Sequence, residues 1–205
     1  MRQGIKQLLR NQMRRKLMSF DPAARCAGST TIREVLTTIP QFRSAKVIYG
    51  FVALDSEPDI LQAPLPNGAK LYLPRFTGHS YQFATAINFE QMEPGPFGIL
   101  QPSDDGSSPP PPDLALVPGM AFNKQGYRLG RGNGIYDRLL AGVAGFRVGV
   151  AFGMQLVSNI PIEPHDQPMD AIVTESGFLL CSGGKRSRPP AVTSPLGGSQ
   201  VRTAG

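Results

Sequence analysis

Leu116-Val-Pro-Gly-Met-Ala-Phe-Asn-Lys-Gln-Gly-Tyr-Arg-Leu-Gly-Arg-Gly-Asn-Gly-Ile-Tyr-Asp-Arg138 carries an apolar segment into a loop dense in glycine and arginine and closed by an aspartate. The run Leu114-Ala-Leu-Val117 that leads into it reads as a buried strand, and Ile135-Tyr-Asp-Arg-Leu-Leu140 after it reads as helix. A loop between such elements lies at the carboxyl end of a strand, where open α/β sheets bind ligands. Gly126, Gly130, Gly132 and Gly134 can adopt left-handed dihedrals and let main-chain N–H groups approach a ligand that a Cβ would exclude. Arg128 and Arg131 offer planar donor forks for phosphate or carboxylate oxygens. Asp137 repels phosphate but can accept a magnesium ion that bridges to it.

The loop is neither a GxxxxGK[ST] phosphate loop nor a G-x-G-x-x-G dinucleotide fingerprint. The competing reading is a glycine-rich surface turn with its arginines in water. Position after a strand and before a helix favours the anion site.

A chain of 205 residues, 40% of them hydrophobic, can bury the core of one domain. No apolar run approaches a membrane span, the amino terminus shows no signal-peptide core, and the two cysteines, Cys26 and Cys181, lack partners at zinc-ligand spacing. These features imply a cytoplasmic protein without membrane contact. The net charge of +6 is uneven: Lys185, Arg186, Arg188 and Arg202 lie beyond the last acid, Glu175, leaving +2 for the rest. Basic residues also gather at Arg2, Lys6, Arg10, Arg14, Arg15 and Lys16, but there is no RNA-binding motif and no basic–aromatic interleaving, so specific nucleic-acid recognition is not expected.

Residues 5–18 place Ile5, Leu8, Leu9, Met13 and Leu17 on one helical stripe, expected to pack, and Lys6, Arg10 and Arg14 on another, expected to be cationic. Asp21-Pro22 reads as an N-cap and first position of a second helix running to Ile39. Lys46 to Val52, Ala69 to Pro74, Leu114 to Val117, Arg147 to Phe152 and Asp170 to Thr174 read as strands, with strands and turns between Phe76 and Phe97 and a helix over Met154 to Ile160. Pro58, Pro64, Pro66 and Gly68 leave the first crossover irregular, and Gln101 to Pro112, with four consecutive prolines, reads as an exposed connector. This alternation implies an α/β fold of three layers, α/β/α, around a mostly parallel or mixed sheet, Rossmann-like in kind. Residues 1–179 are expected to form a single catalytic domain, and 180–205 a disordered basic tail rich in Gly, Ser and Pro.

Across residues 4–177 the chain resembles the 5-formyltetrahydrofolate cyclo-ligase family, the methenyltetrahydrofolate synthetases. The resemblance is carried by Lys6-Gln-Leu-Leu-Arg10, Ser56-Glu-Pro-Asp59, Leu73-Pro-Arg75, the segment from Leu116 to Arg138, and Glu163-Pro-His-Asp-Gln-Pro-Met-Asp-Ala-Ile-Val-Thr-Glu175. It implies an enzyme that uses ATP and magnesium to convert 5-formyltetrahydrofolate to 5,10-methenyltetrahydrofolate. The formyl oxygen is phosphorylated, N10 attacks the activated carbon, and ADP and phosphate are released.

By the same resemblance Lys6, Arg128 and Arg131 are the catalytic candidates. Lys6, Arg10, Arg128, Gly130, Arg131, Gly132, Asn133, Gly134, Ile135 and Tyr136 would bind ATP. Glu57, Tyr81 and Phe83, with Arg131, Gly132, Asn133, Gly134 and Ile135, would bind the reduced folate, Glu57 accepting from pterin N–H groups. Asp137 and Asp170 correspond to magnesium-associated acids and are expected beside strand ends on one face of the sheet. His165 fits a loop-ordering hydrogen bond at least as well as a general base, for which phosphoryl transfer to an amide oxygen has little need, and Cys26 and Cys181 have no assigned chemistry. Asn133, Ile135, Asn123, Pro58 and Tyr81 depart from the residues usual in the family without removing a proposed arginine or metal ligand. A monomer is expected, with a homodimer as the alternative. Two other functions compete: an ATP-using enzyme on this scaffold with a different amide or carboxylate acceptor, and a non-catalytic RNA-associated protein drawing on the terminal basic residues.

Overall fold

A computed structural model describes residues 2–86, 90, 92–103, 108–164 and 166–183. In chain order the elements are α1 (Arg2–Met18), α2 (Pro22–Thr38), α3 (Pro40–Ser44), β1 (Val47–Tyr49), β2 (Lys70–Phe76), β3 (Tyr81–Thr85), β4 (Glu93–Pro94), β5 (Leu100–Gln101), β6 (Leu114–Pro118), β7 (Ala121–Phe122), β8 (Arg128–Leu129), α4 (Ile135–Leu139), β9 (Phe146–Val150), β10 (Ala171–Thr174) and β11 (Gly177–Leu180). Seven strands form one sheet in the order β11-β10-β9-β6-β1-β2-β3. The five inner strands are parallel and β3 and β11 run antiparallel at the edges. From β1 the chain adds β2 on one side and later β6 on the other, so strand order reverses between β1 and β6, and a crevice opens at their carboxyl ends.

Every residue of β6 is buried because both faces of the sheet are covered. Alternate side chains divide between two cores: Leu114, Leu116, Val148 and Val150 pack with Ile32, Leu36 and Phe42 of α2 and α3, whereas Ala115, Val117, Tyr49 and Ile172 pack with Leu140 at the end of α4. The fold is the three-layer α/β/α arrangement with a mixed sheet. The Asp21 carboxylate accepts the Ala24 N–H at 2.8 Å with Pro22 in the first turn, which fixes the start of α2. Among the described residues no helix is long and apolar enough to cross a membrane.

Three local expectations are corrected, and two elements are added. On α1, Met13 and Leu17 are buried as expected, but Ile5 is 51% and Leu8 62% exposed, whereas Lys6 is only 5% exposed. The helix has rolled because Lys6 finds two carboxylates inside, and Met13 packs with Met120, Ala121, Leu129 and Ile160 against the β7–β8 hairpin. The helix expected over 154–160 is only a 3-10 turn at Gly153–Gln155. Buried Gln155 accepts the Phe152 N–H at 2.7 Å and donates to the Gly119 carbonyl at 2.7 Å, which ties this segment to the end of β6 instead of letting it coil. The β7–β8 hairpin stands between β6 and the glycine loop, closed by Asn123, whose Oδ1 accepts the Tyr127 N–H at 2.9 Å. β11 was not foreseen, and residues 181–183 still bond to the body through the carbonyls of Asp170, Lys124 and Gln125, so the chain from 180 to 183 is part of the fold. Residues 184–205, where the rest of the tail was expected, lie outside the described residues.

Gly126 has a φ of +94° in the β7–β8 turn, and a Cβ there would lie 2.3 Å from the Met169 carbonyl oxygen, which is backbone and cannot rotate away. Gly126→Ala is therefore expected to destabilise the fold by at least the ~1–3 kcal/mol of a strained left-handed residue. Thermal unfolding of the variant checks this, and a wild-type midpoint would contradict it.

Candidate active site

A cavity of about 1060 Å³ occupies the reversal point, lined by Val52, Leu54 and Glu57 after β1 and by Pro118 and Gly119 after β6. Its remaining walls come from three places. Helix α1 contributes Lys6, Arg10 and Arg14, the segment from Arg128 to Asp137 contributes the glycine loop, and the β4–β5 hairpin contributes Pro96, Ile99 and Leu100. Gly130, Arg131, Gly132, Asn133, Gly134, Ile135 and Tyr136 all line it, as does Tyr81.

Gly132 at φ +113° and Gly134 at φ +61° hold the loop in conformations that side chains disfavour. Gly130 is not left-handed; a Cβ there would press within 3.1 Å of the Arg128 guanidinium, and its carbonyl accepts the Arg10 Nε–H at 2.9 Å. α1 is thus fastened to the loop through an arginine of its cationic stripe.

Three charged groups tie the cavity together. Arg131 donates from Nε and Nη2 to one oxygen of Glu57 at 3.1 and 2.9 Å, and from Nη2 to the Ser56 hydroxyl at 2.9 Å. The other Glu57 oxygen accepts the Leu54 N–H at 3.1 Å, so a tight turn aims this carboxylate inward. Arg128, 8% exposed, donates to the Asp137 carboxylate at 2.7 Å with its guanidinium 5.7 Å from the centre of the Tyr136 ring. Lys6 reaches Glu163 at 2.7 Å and Asp166 at 2.8 Å, 157 and 160 residues away in sequence. Burial by itself would lower the Lys6 pKa, but hydrogen bonds and attraction from Asp166 and Glu163 outweigh it and raise the pKa above the ordinary 10.5. Burial and the neighbouring Glu57 push the Tyr136 phenol well above its ordinary 10.0, partly offset by Arg128, so it stays a neutral donor at the junction of these groups.

The structure does not gather every expected residue. Asp170 precedes β10 and its carboxylate accepts the Arg147 N–H at 2.8 Å, at the amino end of the parallel strands. Asp137 belongs to the carboxyl-end crevice, so the two acids, expected beside strand ends on one face of the sheet, lie at opposite ends of the parallel strands and do not share a site. Among the described residues no three His, Cys, Asp or Glu side chains form a metal cluster. Phe83 is a core residue, stacked on Tyr49 with ring centroids 3.9 Å apart, while Tyr81, two residues earlier, reaches the cavity. His165 lies outside the described residues. The Cys181 thiol is pushed up to about 12 by burial and by the charge of Asp170, which leaves it unreactive at neutral pH.

Sequence reasoning missed the partners more than the principals. Glu163 and Asp166 belonged to a quoted motif, but nothing in their spacing points to Lys6. Arg147, fully buried, donates to Gln167 and to the carbonyls of Leu140 and Val143 behind α4, and a lone arginine in a strand carries no signal for that role.

The profile of the 5-formyltetrahydrofolate cyclo-ligase family matches residues 2–175. The chain belongs to this family. It is 30% identical over 208 residues to the mitochondrial 5-formyltetrahydrofolate cyclo-ligase of Arabidopsis thaliana, covering 85% of this chain and 75% of that one. With the Saccharomyces cerevisiae 5-formyltetrahydrofolate cyclo-ligase it shares 27% identity over 86% of this chain and 98% of the relative. The NMR structure of the Aquifex aeolicus 5,10-methenyltetrahydrofolate synthetase superposes with a TM-score of 0.76 at 29% identity, over 93% of this chain and all of that one. In this cyclo-ligase fold the cavity at the strand reversal is the candidate active site.

Proposed function

We propose that the cavity catalyses the ATP- and magnesium-dependent closure of 5-formyltetrahydrofolate to 5,10-methenyltetrahydrofolate. The observation that carries this is the Arg131–Glu57 contact, which joins the glycine loop to an inward carboxylate within one cavity large enough for two ligands side by side. Lys6, Arg10 and the Gly130–Gly134 backbone supply donors for a triphosphate on one side. Glu57 and the apolar Val52, Leu54, Pro74, Tyr81 and Ile99 suit a flat, hydrogen-bonding pterin on the other.

In this reaction the formyl oxygen attacks the γ-phosphorus, ADP leaves, and the N10 lone pair attacks the activated carbon. The carbon–oxygen bond then breaks, phosphate departs, and the N10 proton is lost. An amide oxygen is a poor leaving group, whereas a phosphate is a good one, so no protein nucleophile is needed. Arg131, at the contact between the two subsites, is placed to offset charge on the transferred phosphoryl group. Tyr136, kept protonated, can donate a hydrogen bond there. Magnesium commonly takes one or two protein carboxylates and completes its shell with phosphates and water, which a single cavity-lining Asp137 fits. Bound there, the ion would neutralise phosphate charge. Asp170 would instead fasten the starts of β9 and β10.

Purified protein mixed with 5-formyltetrahydrofolate, ATP and magnesium should develop methenyltetrahydrofolate absorbance that vanishes when any component is withheld. Folded protein that binds ATP but forms no product would point to a different acceptor. Asp137→Asn is expected to raise the magnesium concentration needed for half-maximal rate by about tenfold. Magnesium titration of the variant tests this, and an unchanged requirement would remove Asp137 from the metal site.

A further inference from the structure

In the Leu73-Pro-Arg75 motif Pro74 lines the cavity, but Arg75 does not and has no part in the chemistry above. Its side chain, 16% exposed, leaves the end of β2, and its Nη1 donates to Glu93 Oε1 and to the Pro102 carbonyl, each at 2.5 Å. Glu93 opens β4 and Pro102 follows β5, so one guanidinium holds both strands of this hairpin. Gln101 completes the brace: its Oε1 accepts the Phe76 N–H at 3.0 Å and its Nε2 donates to Glu93 at 3.3 Å. A two-stranded hairpin this short is not stable by itself, so these bonds to β2 help to fix its position. The hairpin carries Pro96, Ile99 and Leu100 into the cavity wall. None of the three can bind phosphate, and all suit the ring system of the acceptor.

Resting on the function proposed above, we infer that Arg75 is a positioning residue for the folate half of the cavity, acting through the hairpin and not by contact with substrate. Displacing the hairpin removes apolar contacts to folate and leaves Lys6, Arg10 and the glycine loop in place, because those come from α1 and the segment after β8. The effect should therefore fall on one substrate.

Arg75→Met should raise KM for 5-formyltetrahydrofolate about tenfold or more, as misplacement of a binding wall does, with KM for ATP and kcat changed by less than about threefold. Arg75→Lys, which can keep a single cation between Glu93 and Pro102, should restore most of the lost affinity. Hydrogen exchange gives a readout independent of turnover. The Gly95 N–H, bonded to the Ile99 carbonyl at 2.8 Å, should exchange faster in Arg75→Met and not in Arg75→Lys. A folded Arg75→Met protein with wild-type folate KM and wild-type Gly95 protection would overturn the inference, as would equal rises in KM for both substrates. If wild-type protein itself shows no ATP-dependent turnover, the proposed function fails separately, and Gly95 exchange still decides whether Arg75 holds the wall.

Discussion

Arg131→Ala is expected to lower kcat/KM for folate cyclisation by about 10²–10³-fold, the loss typical of removing one preorganised donor from a developing charge. Arg131 is the loop arginine that bridges to the acceptor side, and its side chain is 40% exposed while that of Glu57 is 6% exposed. Arg131→Ala leaves the enclosed Glu57 carboxylate with the Leu54 N–H but without its cation, which costs stability. Thermal unfolding of the variant therefore accompanies the kinetics, and a loss of rate in protein still folded at the assay temperature reports chemistry. Arg131→Lys keeps the charge but not the two-nitrogen grip on Glu57, and should fall between wild type and alanine. Comparison with Glu57→Gln separates two roles. If Arg131 acts on the phosphoryl group, its alanine variant loses mainly kcat, whereas Glu57→Gln loses mainly folate KM. Matching profiles for the two would mean that Arg131 only holds Glu57, and near-normal kcat/KM in Arg131→Ala would remove it from the mechanism altogether.

Lys6→Met should raise the ATP KM by about 10–100-fold, the equivalent of one hydrogen bond to a charged group, and also weaken the hold on α1. The methionine removes the cation that donates to both Glu163 and Asp166, whose side chains are 23% and 10% exposed. Removing one member of a buried ion pair costs up to about 3–5 kcal/mol, and partial exposure of Glu163 reduces that. The pH dependence has a fixed sign. The Lys6 pKa is raised in the folded state, so its stabilisation is complete below 10.5 and is lost as pH rises through the higher folded value. The difference in unfolding midpoint between wild type and Lys6→Met should stay constant from neutral pH to near 10.5 and shrink above it. A difference that grew with alkalinity would contradict the assignment.

The parts of this protein legible in sequence are those set by local chemistry. The unbroken apolar run from Leu114 to Val117 gave a strand buried on both faces, Asp21-Pro22 gave the start of α2, and the glycine spacing after Arg128 gave a loop open to a ligand. What failed did so where a distant partner overruled local pattern. The stripe of Ile5 and Leu8 gave way to Lys6, because two carboxylates at 163 and 166 reward a buried ammonium. The expected 154–160 helix gave way to the bonds Gln155 makes with Phe152 and Gly119. Phe83 and Tyr81 share a face of β3, yet the stack on Tyr49 takes one into the core and leaves the other at the cavity.

By itself the sequence determined the first two helices, the central strands, the α/β class, the family and the glycine-loop residues that line the cavity, because hydrophobic period, capping chemistry and glycine's freedom act over a few residues. Only the tertiary structure decided which charges meet. The reversal of strand order between β1 and β6 brings Glu57 to Arg131 and the roll of α1 brings Lys6 to Glu163 and Asp166. The direction of the parallel strands sends Asp170 to the end of the sheet away from Asp137. Pairing across 74 to 160 residues depends on where the chain returns in space, and local residue patterns do not encode that.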